Sequence, residues 1–403
     1  MNKLTVKDVS VQGKNILVRV DFNVPLNEEG KVIDDTKIRA SLPTLDCLLA
    51  KGARVIIVSH LGRPKGKVVE ALRMDPVARR LAQLLGRTVE KCDFITGPEV
   101  DDALHNLSPG ALLMLENVRF DPREEKNDPG FACELARLAD LYVNDAFGTA
   151  HRAHASTSGV AAYLPAVAGL LMDKEMSYLN KSREKPLFPL VVILGGKKVA
   201  DKIGVIRHFL PCDCTLLLGG VMANTFLKAR GFSMGDSLCE DDKLDMAREI
   251  LEEAERSPAK LLLPLDVFIV EKLQRDSAHQ VKSVDDIPSG WSAVDVGPKT
   301  LQSFQEAIAD AKMILWNGPL GAYEFPPFHW GTEMVARAVA KSDAESIIGG
   351  GDIVAALEKL DLSGQVTHIS TGGGAVLDFW KGKDLPGLSV LQDRTKSGVN
   401  VKG

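Results

Sequence analysis

Aromatic residues make up only 5% of this 403-residue chain, too few for the stacking platforms that hold single-stranded nucleic acid. Cysteine is scarce too: Cys47, Cys92, Cys133, Cys212, Cys214 and Cys239 are scattered along the whole length. Such spacing excludes a disulfide-dense secreted scaffold and favours a reduced protein. Cys212 and Cys214 form the one close pair, and no second cysteine or histidine pair at ligand spacing follows, so no zinc site is expected. Long apolar runs are also missing. None reaches 18 residues, and the opening MNKLTVKDVSVQGKNILVRVD holds no apolar stretch of signal-peptide length. The expectation is a cytoplasmic protein without a membrane partner. Positive charge is not in excess: 49 Lys and Arg against 54 Asp and Glu leave a formal net charge of -5. A field of that sign argues against a general nucleic-acid binder, yet it leaves room for a local basic patch that captures a small anion.

What is present is glycine, at 35 residues, and an apolar fraction of 45%. Because a single core rarely grows past roughly 250–300 residues, two domains are expected. Short runs rich in Val, Ile and Leu alternate with helix-length segments. Strands are predicted over Ile16–Asp21, Arg54–Ser59, Ala111–Glu116, Leu141–Asp145 and, more weakly, Thr88–Phe94. The second half repeats the pattern with Leu190–Leu194, Thr215–Leu218, Lys260–Val267, Met313–Trp316, Ser346–Ile348 and Val366–Ile369. These runs lack clean polar alternation, as strands covered on both faces of a parallel sheet do. Helices are predicted between them, among them Lys37–Ala50, Pro76–Leu85 with Asp75 as N-cap, Asp201–Phe209 and Ile353–Leu360. The fold class is therefore α/β, two doubly wound, mainly parallel-sheet domains joined by an interdomain helix. The first domain is expected over residues 1–170, a polar helix and linker over 171–188, and the second domain over 189–385. A surface-laid tail is expected over 386–403, with packing back on the first domain as one option.

Ligands of open parallel sheets gather beyond the carboxyl ends of the strands. In the first half those exits carry Asp21, Asn23 and, opening the next helix, Arg39; then His60 and Arg63; then Arg119; then Arg152. Any one of these is ordinary as a surface salt-bridge partner. Their recurrence at four exits on one edge is not, because such a cluster repels itself unless an anion compensates it. In the second half the exits are glycine turns: Gly195-Gly196, Gly219-Gly220, Asn317-Gly318-Pro319, Gly349-Gly350-Gly351 and Gly372-Gly373-Gly374. Consecutive glycines expose main-chain N–H groups that cradle phosphate oxygens. Neither G-x-x-x-x-G-K-[ST] nor G-x-G-x-x-G stands at a strand–helix junction, which removes support for a P-loop enzyme and a Rossmann dehydrogenase. Asp352 follows three glycines and reads either as an N-cap or as a contact for Mg²⁺ on nucleotide phosphates. Lys198 and Lys202, four apart, either share a helical face toward a ligand or are surface lysines.

Nine segments then recur together in order: RVDFNVP (Arg19–Pro25), SHLGRP (Ser59–Pro64), LMLENVRF (Leu113–Phe120), VNDAFGTAHRAHAST (Val143–Thr157), GGKKVADK (Gly195–Lys202), DVGPKT (Asp295–Thr300), NGPLGAYE (Asn317–Glu324), GGGD (Gly349–Asp352) and STGGGA (Ser370–Ala375). In these the chain resembles the phosphoglycerate kinases over nearly its full length. The resemblance implies reversible transfer of the acyl phosphate of 1,3-bisphosphoglycerate to MgADP, giving 3-phosphoglycerate and MgATP, by a monomeric cytoplasmic enzyme. It assigns the first domain to phosphoglycerate, through Asp21, Asn23, Arg39, His60, Arg63, Arg119 and Arg152. It assigns the second to nucleotide, through Lys198, Lys202, Gly220, Asn317, Pro319, Glu324, Gly349, Gly350, Gly351, Asp352 and Ile353. Glu324 is expected near the ribose and Asp352 beside Mg²⁺. Arg39, Lys202, Gly372, Gly373 and Gly374 are expected to stabilise the transferring phosphoryl group. Four departures stand out against the family pattern: Lys197 where a small residue is frequent, Tyr323 for Phe, Ile353 for Thr, and GGGAVLD for GGGASLE. Ile353 removes a hydroxyl near the expected phosphate site, so altered nucleotide affinity is expected there.

The attacking carboxylate is already ionised near pH 7, so no general base is needed. Catalysis rests on positioning, charge compensation and water exclusion, with closure hinged around Leu170–Lys185, Pro189 and Pro386. The alternatives are a kinase for another carboxylic acid and a nucleotide-binding regulator without turnover.

Overall fold

The structure, a computed structural model, describes residues 2–394. It falls into two units. One takes the chain as far as Ser177 and again from Asp384; the other is Tyr178–Lys383.

The first unit is built on strands β1 (Asn15–Val20), β2 (Arg54–Val58), β3 (Glu90–Lys91), β4 (Leu112–Met114), β5 (Leu141–Asp145) and β6 (Ala166–Ala168), in the spatial order β3-β4-β2-β1-β5-β6. Every pairing is parallel. The connections carry α1 (Thr36–Ala50), α2 (Asp75–Leu85), α3 (Pro98–Asn106) and α4 (Pro129–Ala136). Ile16 to Val20 are all buried, because a sheet with helices on both faces offers its central strand no solvent side. Helix α2 begins one residue earlier than expected. Asp75 lies inside it, and Met74 takes the N-cap position without a side-chain cap. The carboxylate of Glu116 supplies the missing acceptor, taking the Met74 N–H at 2.9 Å.

Helix α5 (Leu170–Glu184) contains the boundary between the units, at Ser177/Tyr178. The expected linker over 171–188 is thus one continuous helix through Glu184, with residues on both sides of that boundary. The second unit follows with β7 (Leu190–Leu194), α6 (Ala200–Phe209), β8 (Cys214–Leu218), α7 (Gly220–Ala229), α8 (Leu244–Glu255), β9 (Lys260–Leu262), β10 (Asp266–Val270), β11 (Gln280–Ser283), β12 (Ser292–Val296), α9 (Pro298–Ala309), β13 (Met313–Asn317), α10 (Trp330–Lys341), β14 (Glu345–Gly349), α11 (Gly351–Lys359), β15 (His368–Ser370) and α12 (Gly374–Trp380). Its main sheet is again all parallel, ordered β15-β14-β13-β7-β8-β9. The single strand expected over Lys260–Val267 is two. Pro264, which has no N–H for a ladder, separates β9 from β10, and β10 joins a small antiparallel sheet ordered β11-β10-β12.

The last described segment is no loose surface tail. A short helix, α13 (Pro386–Ser389), buries Leu388, while Leu385 and Leu391 flank it at 2% and 3% exposure. Gly387 donates to Ala150 O at 2.8 Å and accepts from Asn144 Nδ2 at 2.8 Å, so the segment belongs to the first unit. The remainder of the tail expected over 386–403 lies outside the described residues.

Candidate active site

In the first unit, Ile57 pairs with Met114, Arg19 with Val58 and Val20 with Asp145. That register sets the carboxyl ends of four neighbouring strands side by side. Asp21 and Asn23 leave β1, His60 leaves β2, Arg119 follows β4 and Arg152 follows β5.

Arg19, in β1, is fully buried and was not among the residues expected at the site. Its Nε donates to Ser156 Oγ at 2.9 Å, and its Nη2 lies 3.2 Å from His60 Nδ1. Arginine has no acceptor, so Nδ1 must accept and the ring proton sits on Nε2. Burial and the neighbouring Arg19 and Arg119 push the imidazolium of His60 well below its usual range. His60 is therefore a neutral ring, and its 3.9 Å approach to Asp21 is not an ion pair. Asp21 instead pairs with Lys37 Nζ at 2.8 Å. Behind Arg19, Ser156 donates to the buried Glu124 at 2.6 Å, whose carboxyl is pushed up by burial against the pull of Arg19. His154 lies 3.8 Å from Glu124 and is pushed down to about 4 by burial and the surrounding arginines.

Arg119 is 3% exposed. Burial, with Arg152 adding repulsion, lowers its guanidinium to about 10. Its Nη1 donates to Gly62 O at 2.9 Å and its Nε approaches Glu125 at 3.2 Å without hydrogen-bond geometry, while Nη2 is buried with no acceptor. A buried guanidinium nitrogen without an acceptor is costly unless an anion arrives. Asn117 holds this loop by donating to Leu61 O and Leu72 O, and Asn23 Oδ1 accepts the Gly62 N–H at 2.8 Å. Arg39 stands apart, more than half exposed and bonded to Asp35 at 2.8 Å. Arg63 is exposed and makes no ion pair among the described residues.

In the second unit the register aligns Ser370, Gly349, Asn317, Leu194 and Leu218 in one row across the sheet. All five glycine turns leave from that row. Gly318 has φ +93°, and a Cβ there would lie 2.3 Å from Gly195 O and 2.5 Å from Lys202 Nζ. Only glycine lets the two turns pass so closely. The Lys202 amine, 7% exposed, donates to Gly195 O. Burial lowers it to about 8, against the opposing pull of Asp201 and Asp352. Asn317 is committed inside the site, its Nδ2 donating to Gly349 O at 2.8 Å, so its side chain ties two turns together.

Beside these turns lies a cavity of about 410 Å³. Val221, Leu238, Pro264, Val267, Leu273 and Val294 give it an apolar wall, while Gly196, Gly220, Pro319, Glu324 and Asp352 line its polar part. Much of the apolar wall comes from β10, β12 and the chain around them, which the sequence motifs did not flag. Asp352 is the second residue of α11, so it is not the N-cap; it is exposed and makes no ion pair among the described residues. Lys198 is exposed and outside the cavity wall; Gly349, Gly350 and Gly351 also lie outside it, Gly349 buried, Gly350 half-buried and Gly351 exposed. Ile353 is fully buried in the core, so its side chain cannot reach a ligand and only its main chain in the first turn of α11 could. Gly372, Gly373 and Gly374 form the turn into α12, the Gly372 N–H donating to Ser370 Oγ at 3.1 Å.

An arginine–histidine cluster and an apolar cavity beside glycine turns thus occupy corresponding strand edges of the two units. The family described as phosphoglycerate kinase matches residues 6–383. A phosphoglycerate kinase of Moorella thermoacetica is 56% identical over 98% of this chain and 100% of its own length, and one of Pelotomaculum thermopropionicum is 52% identical over the same shares. The solved phosphoglycerate kinase of Coxiella burnetii superposes with a TM-score of 0.87 at 42% identity, covering 96% of this chain and 98% of its own. That of Pyrococcus horikoshii gives 0.85 at 33% identity over the same shares. On these grounds the chain belongs to the phosphoglycerate kinase family.

Proposed function

We propose that the arginine–histidine cluster of the first unit binds phosphoglycerate and that the cavity of the second binds adenine nucleotide, with the glycine turns taking its phosphates. The activity is reversible phosphoryl transfer between 1,3-bisphosphoglycerate and ADP, giving 3-phosphoglycerate and ATP. The observation that carries the residue assignment is Arg119, a buried cation with an acceptorless Nη2 facing further arginine charge. An anionic ligand bearing phosphate or carboxylate supplies what it lacks.

Asp21, Asn23, His60, Arg63, Arg119 and Arg152 take the phosphoglycerate in this reading, with the neutral His60 as a donor through Nε2. Arg39 and Lys202 compensate the charge on the transferring group, together with the Gly372–Gly374 turn. The Asp352 carboxylate makes no ion pair among the described residues and borders the cavity, so it fits Mg²⁺ held on nucleotide phosphates. When bound, that ion neutralises phosphate charge. The acid substrate attacks as a carboxylate and needs no base. Six unpaired cysteines suit a reducing cytoplasm, and one chain carries both binding regions, so a monomer suffices.

Nucleotide turnover measured with 3-phosphoglycerate, glycerate, acetate and aspartate in turn should respond to 3-phosphoglycerate alone. Arg63→Ala should raise KM for that acid about tenfold or more, roughly the loss of one charge-assisted contact, and leave KM for MgATP unchanged. Turnover with acetate, or an unaltered KM for the acid, would overturn the assignment.

A further inference from the structure

Five charged side chains border the cavity of the second unit: Lys197, Asp236, Asp295, Glu324 and Asp352. Four are acids. Asp295 is buried, accepts from the Val296 and Gly331 N–H groups, and is pushed up to about 8 by its burial. Asp236, Glu324 and Asp352 bring three further acidic side chains to a cavity whose proposed ligand is itself a polyanion. Lys197 is the one cation in this wall, and it follows Gly196 directly in the first glycine turn.

The Lys197 amine lies 3.1 Å from Glu324 Oε1, with the two side chains 68% and 55% exposed. An ion pair this open to solvent contributes little and is readily exchanged. We propose that Lys197 is a further nucleotide-binding residue: it leaves Glu324 when nucleotide enters and pairs with the polyphosphate, freeing the Glu324 carboxylate for a ligand hydroxyl. This rests on the reading of the cavity as the nucleotide site. The exchange removes the one cation from the carboxylate that a sugar hydroxyl can reach and places it where phosphate charge arrives. A lysine suits the task as a flexible point charge with three donors.

Equilibrium binding of ADP and of adenosine to the full chain tests the exchange, with Lys197→Met keeping most of the stem and removing the charge. ADP should bind about tenfold more weakly to this variant and adenosine within about twofold of the parent, with Lys197→Arg restoring ADP affinity. The salt dependence of ADP binding should also flatten in Lys197→Met. ADP binding that is unchanged or tighter would overturn the proposal, since Lys197 would then merely shield Glu324. Equal weakening of ADP and adenosine would overturn it as well, marking Lys197 as a structural prop. Leu238→Glu tests the underlying reading separately. Leu238 is 62% exposed in the cavity wall, so folding should tolerate the change, and both ligands should bind more weakly. If neither responds, the cavity is not the nucleotide site and the exchange fails with it.

Discussion

A lysine lowered to about 8 by burial still carries most of its charge at pH 7, but loses it within the range where assays are run. If Lys202 compensates the transferring phosphoryl group, kcat/KM for MgATP should hold up to about pH 8 and fall above it, because that ratio reports the free enzyme. Lys202→Arg should lack this alkaline limb, since a guanidinium stays protonated. A wild-type profile flat to pH 9, or the same limb in the arginine variant, would remove the charge role. The sequence placed Arg119 and His60 at strand exits because a parallel sheet puts its exits on one edge, and it paired Lys202 with Lys198 on one helical face beyond a glycine turn. It did not make Arg19 visible, since an arginine flanked by valines in a strand reads as an interruption of the apolar run. Only the fold shows it fully buried between His60 and Ser156. Ile353 is the converse case. Its place after Asp352 pointed to ligand, and the helical turn carries its side chain into the core instead.

Strands were the most legible elements. Leu141–Asp145 and Leu190–Leu194 match their expected bounds, and the others shift by one or a few residues at their ends. What the apolar runs could not reveal was partnership, so Lys260–Val267 read as one strand although Pro264 divides it between two sheets. Helix beginnings were harder, because their orphan N–H groups are satisfied by residues distant in sequence. Helix α5 is an example. Asp145, at the end of β5, accepts the Leu171 N–H at 2.9 Å and the Met172 N–H at 3.3 Å, while Thr44 Oγ1 accepts that of Leu170. Burial raises the Asp145 carboxyl to about 7, with those hydrogen bonds opposing. A raised folded value means the protonated form is favoured in the native state. The associated stability is full below the ordinary carboxyl value of 3.8 and is lost as pH rises to about 7. Across that window the loss runs at about 1.4 kcal/mol for each pH step of one. Asp145→Asn keeps the acceptor without the titration. Denaturant midpoints at pH 5 and pH 7.5 should therefore differ less in Asp145→Asn than in the parent. An undiminished difference would show that Asp145 does not set that dependence.

At the scale of the whole molecule, the two-unit plan was legible from length and from the repeated strand–helix grammar, but the path of the chain was not. Strand periodicity cannot show that residues after 383 return to the first unit, and the family match itself ends at residue 383. The return is substantial. Leu4 N–H donates to Gln392 O at 2.8 Å, Gln392 N–H to Ala166 O at 2.9 Å, and Asn144 holds Gly387. Three buried leucines, 385, 388 and 391, contribute on the order of 1.5–3 kcal/mol each. That sum is comparable to the whole stability of a typical domain, about 5–15 kcal/mol. A chain ending at Lys383 should therefore lose the first unit's cooperative unfolding transition and its binding of 3-phosphoglycerate. The second unit, Tyr178–Lys383, keeps its own sheet and cavity, so ADP binding should survive within a few fold. Calorimetric scans and paired titrations of the two ligands check this. Loss of both ligands together would mean that the segment supports the whole molecule, and loss of neither would reduce it to a dispensable tail. Selective loss of the acid ligand is the outcome expected from Gly387, which is lodged between Asn144 and Ala150, the latter two residues before Arg152 in the chain.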